Sequence, residues 1–214
     1  KVLIDGQHRL EGIRRSGTVQ LCLIVEGLSM DAQEVIDTNA YRSFADDLQF
    51  RNVLSVSAVA AITRRVLIFK RGSLPQTGGA ASTPTKTELM AFYEANTPAL
   101  ADAAKIAIRC SNAKLTVPGS VLASAYYLCA EKDQVAAGIF YGEQVIDGVN
   151  IDVTDPAFRL RYKIGRSKDD RLTGNELFLY AVKSWNHFRK NEKLHKLQAP
   201  RDGWPKSMTD LVIH

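Results

Sequence analysis

The amino-acid sequence predicts an α+β protein, in which a strand-helix-strand portion is followed by a mainly helical C-terminal region. Two observations carry this prediction. Near the N-terminus, a short apolar run precedes a glycine, a helix-like stretch and a second apolar run over residues 18–25. From residue 52 onward, apolar residues recur at close to the helical period.

The N-terminal portion begins with a predicted strand over residues 2–4. Gly6 follows, at a position where a sharp turn can require positive φ. Residues 8–15 are predicted to form a helix that ends at Gly17, because glycine commonly closes helices. Residues 18–25 are rich in aliphatic and β-branched side chains, which favour a second strand. The chain opens with Lys1 directly before an apolar strand, so we expect upstream sequence to be missing.

The remainder of the chain is predicted to be helical. The predicted helices span residues 32–36, 43–50, 52–70, 87–95, 98–110, 118–130, 134–144, 158–163 and 173–190. Residues 72–86 are rich in Gly, Ser, Thr and Pro and predict a mobile linker. The expected domains are therefore a phosphate-binding portion over 1–71, the linker over 72–86 and a helical domain over 87–214.

The composition is that of an ordinary globular protein, with 45% hydrophobic and 24% charged residues, which argues against disorder and coiled coil. No apolar run approaches the roughly 18 residues of a membrane span, and no signal-peptide pattern occurs. The three cysteines, Cys22, Cys110 and Cys129, are distant and odd in number, which predicts reduced thiols in a cytoplasmic compartment. The net charge of +5 favours an acidic partner such as nucleic acid.

Residues 5–9, Asp-Gly-Gln-His-Arg, form the most informative constellation. At the start of a helix the first backbone N–H groups lack intrahelical acceptors, so a turn here is an anion site. Arg9 can add a bidentate contact to phosphate oxygens, and His8 can donate a hydrogen bond or move a proton near neutral pH. Asp5 can accept a proton from a nucleophile or hold Mg²⁺ beside a phosphate.

A simpler interpretation assigns these residues to local structure alone. Asp5 would then cap the helix, and Gly6 would form the turn. The two cations would be solvated, or paired with Glu11 and Glu26.

The five-residue string resembles the DGQHR signature of the ParB/sulfiredoxin-like superfamily, in which a strand-turn-helix binds nucleotide phosphates. Apolar Leu10 and Ile13 follow as in that signature. Residues 35–48 also resemble a stretch of phage and actinobacterial ParB-like proteins, and residues 181–188, with Ala-x-x-x-Trp-Asn, resemble their C-terminal end. The resemblance implies strands before the signature. Either the fold is incomplete in this chain, or another chain, a partner or a second copy, supplies these strands.

Members of the superfamily include CTP-hydrolysing partition proteins, sulfiredoxins, nucleotide-dependent kinases and proteins tied to DNA phosphorothioation. The resemblance therefore implies that the protein binds a nucleoside triphosphate together with Mg²⁺. It also implies a location in the cytoplasm of a bacterium or a phage-infected host. Gly6, Gln7, His8 and Arg9 would bind phosphate, while Asp5 and His8 would be catalytic and Asp5 would hold the metal. Sulfiredoxin has cysteine where this chain has Gln7, which argues against sulfinic acid repair.

A polar stretch follows the second predicted strand and includes Asp37 and Arg42. If it folds over the phosphate turn, Asp37 supplies a second catalytic carboxylate and Arg42 a second phosphate-binding cation, as metal-assisted phosphoryl transfer requires. Otherwise Asp37 begins a turn, and Asp46 and Asp47 lie on a solvated helix face.

Basic residues cluster in the helical region among aromatic side chains, a pattern that can follow a nucleic-acid backbone. The candidates for DNA contact are Arg64, Arg65, Arg161, Lys163 and Arg166. The alternative is that the charges are solvated and the aromatics form the core. On the last helix, Leu177, Val182, Trp185 and Phe188 approximate an apolar stripe.

Three functions remain open from the sequence. The first is an enzyme that cleaves or transfers a nucleotide phosphate, such as an NTPase, a kinase or a nuclease. The second is a non-catalytic DNA-binding or regulatory module that uses the phosphate turn as a switch. The third is an interaction subunit completed by strands from a partner.

Overall fold

A computed structural model of the chain describes residues 3–29, 32, 43–73, 83–205 and 211–214. The chain divides into two compact units, Lys1–Arg42 and Ser43–His214. The described helices are α1 (Gln7–Ser16), α2 (Phe44–Phe50), α3 (Val56–Lys70), α4 (Lys86–Asn112), α5 (Gly119–Ala130), α6 (Gln134–Ala137), α7 (Pro156–Gly165) and α8 (Gly174–Arg189). A π-helical segment, Gly138–Asp147, continues directly from α6.

The α+β fold class is wrong for the described residues, which contain helices and no strand. Residues 3 and 4 are irregular, and residues 18–26 form neither helix nor sheet. The physical reason is that a strand needs a neighbouring backbone for its hydrogen bonds, whereas a helix satisfies its own. Residues 19–25 make no hydrogen bond within the described chain, so they do not form a strand despite their high β-propensity.

The second unit is built around α5, whose side chains from Val121 to Cys129 are all buried. Helices α3, α4 and α8 pack against α5, while α7 packs against α8 and the π-helical segment. Helix α8 also binds the C-terminal residues. Trp185 Nε1 donates a hydrogen bond to the carbonyl oxygen of His214 at 2.7 Å. Asn186 Nδ2 likewise donates to the carbonyl of Val212 at 2.8 Å. Helices α2 and α3, which the sequence assigned to the N-terminal portion, belong to this unit.

Two predicted helices, over 87–95 and 98–110, form one kinked helix, α4. Asn96 has non-helical φ/ψ of −130° and 18°, and Pro98 lies just beyond it. Proline removes an N–H from the helical ladder, so carbonyls of the preceding turn need other donors. Asn96 Nδ2 donates to the carbonyl of Phe92 and Thr97 Oγ1 to that of Tyr93, both at 2.8 Å. The side chains around the kink therefore keep the two halves continuous.

Three helices of the second unit begin with a capping box, in which the first residue and the acid three positions on exchange hydrogen bonds. Ser43 and Asp46 cap α2, Thr85 and Glu88 cap α4, and Thr173 and Glu176 cap α8. This reciprocal bonding satisfies two otherwise free N–H groups at each helix start. The first turns of these three helices therefore have part of their N–H groups bonded and carry an acidic side chain, in contrast to that of α1.

Candidate phosphate-binding turn

Gly6 forms the turn that begins α1. Its φ and ψ are 89° and 10°, in the left-handed region that other residues adopt only with strain. The carbonyl oxygen of Gly6 accepts the first helical hydrogen bond, from the N–H of Leu10 at 2.9 Å. No side chain caps this helix, so Asp5 does not play the capping role of the simpler interpretation.

The first turn of α1 has no side-chain cap. Within the described residues, the backbone amides of Gln7, His8 and Arg9 donate no hydrogen bond. The turn contains no acidic side chain, and no α1 residue is buried. These amides carry the positive end of the helix dipole, which favours an anion in front of them.

The side chains of Asp5, Gln7, His8 and Arg9 are all exposed. Among the described residues, Arg9 has no hydrogen bond or ion pair. Glu11, the acid nearest in sequence, is instead bound at 2.7 Å by both Arg14 and Arg15. These two arginines lower the pKa of the Glu11 carboxyl to about 2. Within the part of the chain that the structure describes, no acidic side chain pairs with the Arg9 guanidinium.

The predicted second half of the site, Asp37 and Arg42, lies outside the described residues. The described residues contain no cluster of three His, Cys, Asp or Glu side chains that could hold a metal. Magnesium does not require one, because it commonly binds through one or two carboxylates together with substrate phosphates and water. The exposed Asp5, beside the free amides, fits such a role.

The basic residues nominated for DNA contact have other partners in most cases. Arg161 Nη1 donates to the carbonyls of Val145 and Ile146, at 2.5 and 2.7 Å. Lys163 Nζ lies 3.0 Å from Asp170 Oδ2, and Arg166 pairs with the same carboxyl at 3.6 Å.

Arg65 is half-buried and reaches only Asn175, at 3.3 Å, while its buried Nε has no partner within the described chain. Burial lowers the pKa of the Arg65 guanidinium. Arg64 differs from the other four candidates, because it is exposed and has no hydrogen bond or ion pair to the described residues.

Sequence reasoning missed the structural role of Arg161, which ties α7 to the end of the π-helical segment. We expect Arg161→Met to lower the free energy of unfolding by about 1–3 kcal/mol, because two carbonyls of buried residues lose their donor. Urea denaturation followed by circular dichroism measures this change. Arg166→Met, on an exposed ion pair, is the matched control and should change stability by less than about 0.5 kcal/mol. Equal effects would contradict the assignment.

A concave surface that the sequence did not indicate lies between α3, α4 and α5. It has a volume of about 380 Å³ and is lined by small side chains, including Ser55, Ser57, Ser111 and Ser120. Helices α3 and α5 both begin there without a side-chain cap. Its lining contains no charged residue, so it lacks the cation that accompanies the free amides of α1.

Comparisons of the chain with protein-family models, with curated proteins and with solved structures found no match. The likeness to the ParB/sulfiredoxin-like superfamily therefore stays a prediction from the residues that carry it. Within the described chain, no helix combines the length and the apolar character that crossing a membrane requires.

Proposed function

We propose that the turn at residues 5–9 binds the phosphate groups of a nucleoside triphosphate and that the protein acts on or with DNA. The observation that carries this proposal is made at one helix start, where three amides and a guanidinium have no partner among the residues that the structure describes. Amides alone favour any anion weakly, whereas an added arginine supplies permanent charge and bidentate geometry. The DGQHR string adds the expectation that the anion belongs to a nucleotide.

Each side chain has a distinct task in this proposal. The amides of Gln7, His8 and Arg9 bind phosphate oxygens, and the Arg9 guanidinium neutralises their charge. Asp5 holds the metal or accepts the proton of an attacking hydroxyl or water. His8 donates a hydrogen bond to phosphate or moves that proton. A bound Mg²⁺ would neutralise phosphate charge during cleavage or transfer.

Calorimetric titration with the four ribonucleoside triphosphates, with and without Mg²⁺, tests the proposal. We expect Arg9→Ala to weaken binding about 10- to 100-fold, since a hydrogen bond to a charged group contributes roughly 1.5–3 kcal/mol. Arg15→Ala is the matched control, because Arg15 lies on the same helix but is paired with Glu11. Unchanged affinity of Arg9→Ala would contradict the proposal.

Measuring phosphate release distinguishes an enzyme that cleaves the nucleotide from a non-catalytic module that uses nucleotide binding as a switch. It should be measured for each nucleotide with and without duplex DNA, for the wild type and Asp5→Asn. Turnover that Asp5→Asn abolishes while binding persists would favour catalysis by Asp5. Binding without turnover, together with a DNA affinity that falls steeply with salt, would favour a non-catalytic DNA-binding or regulatory module.

A further inference from the structure

The segment over residues 18–25, Thr-Val-Gln-Leu-Cys-Leu-Ile-Val, is uncharged and almost fully exposed. Its large apolar side chains have exposed fractions of 102% at Val19, 104% at Leu21, 92% at Leu23, 75% at Ile24 and 62% at Val25. Scattered apolar side chains are common on protein surfaces, but a continuous run of this kind marks an interaction site.

The backbone of this segment is also unpaired with respect to the rest of the described chain. Residues 19–25 make no hydrogen bond to any described residue. Their side chains favour β-structure, so another backbone alongside would satisfy both the polar groups and the side-chain preference. The segment therefore fits strand pairing better than it fits a groove for a small ligand.

The sequence of the segment is nearly symmetric about Cys22. Leu21 and Leu23 flank the cysteine, and Val19 and Val25 stand three positions away on either side. An interface between two identical copies related by a twofold axis must be self-complementary, because each residue meets its counterpart in the reverse order. Antiparallel pairing of residues 19–25 about Cys22 places equal side chains opposite each other, apart from Gln20 opposite Ile24.

We infer that two copies of this chain associate by antiparallel pairing of their 18–25 segments around a twofold axis at Cys22. In this register Leu21 faces Leu23 of the other copy and Val19 faces Val25. Because alternate residues share a face of a strand, the valines and leucines of both copies form one apolar face. Leu10 and Ile13, on one side of α1, are available to cover that face, which an isolated two-stranded ribbon would leave in water.

In this register the two copies of Cys22 lie opposite each other, so a disulfide between them would report the pairing. Directly opposed residues in an antiparallel pair have Cα atoms about 4.5–5.5 Å apart, within the range that a disulfide spans. Cys110 and Cys129 are buried, at 1% and 0% exposure, so mild oxidation should reach only Cys22. In contrast, the two copies of Thr18 would lie about 27 Å apart, eight residue steps along the pair.

Oxidation by oxidised glutathione and electrophoresis without reductant test the register on the full chain. The wild type should yield a covalent dimer, and Cys22→Ser should yield none. The double variant Cys22→Ser/Thr18→Cys, with an exposed cysteine four positions away, should cross-link at least tenfold less than the wild type. Equal cross-linking from position 18 would overturn the inference, because random collision would then explain the dimer.

Light scattering under reducing conditions tests the association itself. At micromolar concentration the mass should be twice the 23.6 kDa of one chain, and Leu21→Lys should return it to that of one chain with an unchanged helical circular dichroism spectrum. A monomeric wild type would overturn the inference and leave the segment to another partner. A dimer that survives Leu21→Lys, or an open series of larger oligomers, would also overturn it.

Discussion

Trp185→Ala is expected to lower the free energy of unfolding by about 3–5 kcal/mol, as is usual when a buried tryptophan is truncated. Trp185 is fully buried, and its ring stacks on Tyr141, with ring centroids 6.2 Å apart and planes inclined by 18°. Phe140 meets the same indole at 5.9 Å. The substitution opens a cavity and removes the hydrogen bond from Nε1 to His214. Urea denaturation followed by circular dichroism at 222 nm measures the loss.

The second tryptophan provides a matched control for this experiment. Trp204 is only half-buried and makes an edge contact with Tyr180, at 4.9 Å between centroids. Trp204→Ala should therefore cost less than Trp185→Ala, although the same atoms are removed. Trp185→Phe should lower the free energy of unfolding by less than Trp185→Ala, because phenylalanine keeps most of the ring contacts and loses only the donor. A cost for Trp185→Ala no greater than that for Trp204→Ala would refute this account of the core.

Gly119→Ala is expected to destabilise the protein by about 1–3 kcal/mol, although alanine is the better helix former. Gly119 begins α5 at a point of close approach to the backbone of α4. A Cβ atom at this position would lie 2.5 Å from the carbonyl oxygen of Ala107. This oxygen belongs to the backbone of a helix, so the overlap can be relieved only by separating α4 from α5. The midpoint of urea denaturation should fall accordingly.

The control for Gly119 is another helical glycine of the same unit. Gly138, between α6 and the π-helical segment, has helical φ and ψ of −60° and −46°. A Cβ atom there would meet nothing within 4 Å. Gly138→Ala should therefore be neutral or stabilise by up to about 1 kcal/mol, through lower entropy of the unfolded chain. If both substitutions had the same effect, close packing of α4 and α5 at Gly119 would not be the cause.

Both functional proposals concern the first unit of the chain. As far as the described residues show, the amides of the turn at residues 5–9 and the backbone of the 18–25 segment have no partners, and the segment exposes apolar side chains. In the second unit, Arg161 serves the fold itself, because it binds two carbonyls of the π-helical segment. The two proposals fail independently, since Arg9→Ala leaves the 18–25 segment intact and Leu21→Lys leaves the turn intact.

The sequence predicted most helices of the chain closely. The helix over 8–15 corresponds to α1, that over 118–130 to α5, and that over 173–190 to α8. Leu177, Val182 and Trp185 of the predicted apolar stripe are buried, as expected. Helices are predictable because their period, caps and hydrogen bonds are contained in one stretch of chain. The sequence did not predict that α4 is one kinked helix, because the continuity of the two halves depends on hydrogen bonds from the side chains of Asn96 and Thr97.

The sequence alone determined where helices form and that residues 5–9 make a glycine turn at a helix start. It could not determine whether the 18–25 segment becomes a strand, because that depends on a partner backbone and not on the segment. It also could not distinguish Arg64, which is exposed, from Arg161, whose donors are taken by carbonyls about fifteen residues away. Both outcomes depend on groups outside the stretch of sequence concerned, and for Arg161 only the tertiary structure shows which groups meet.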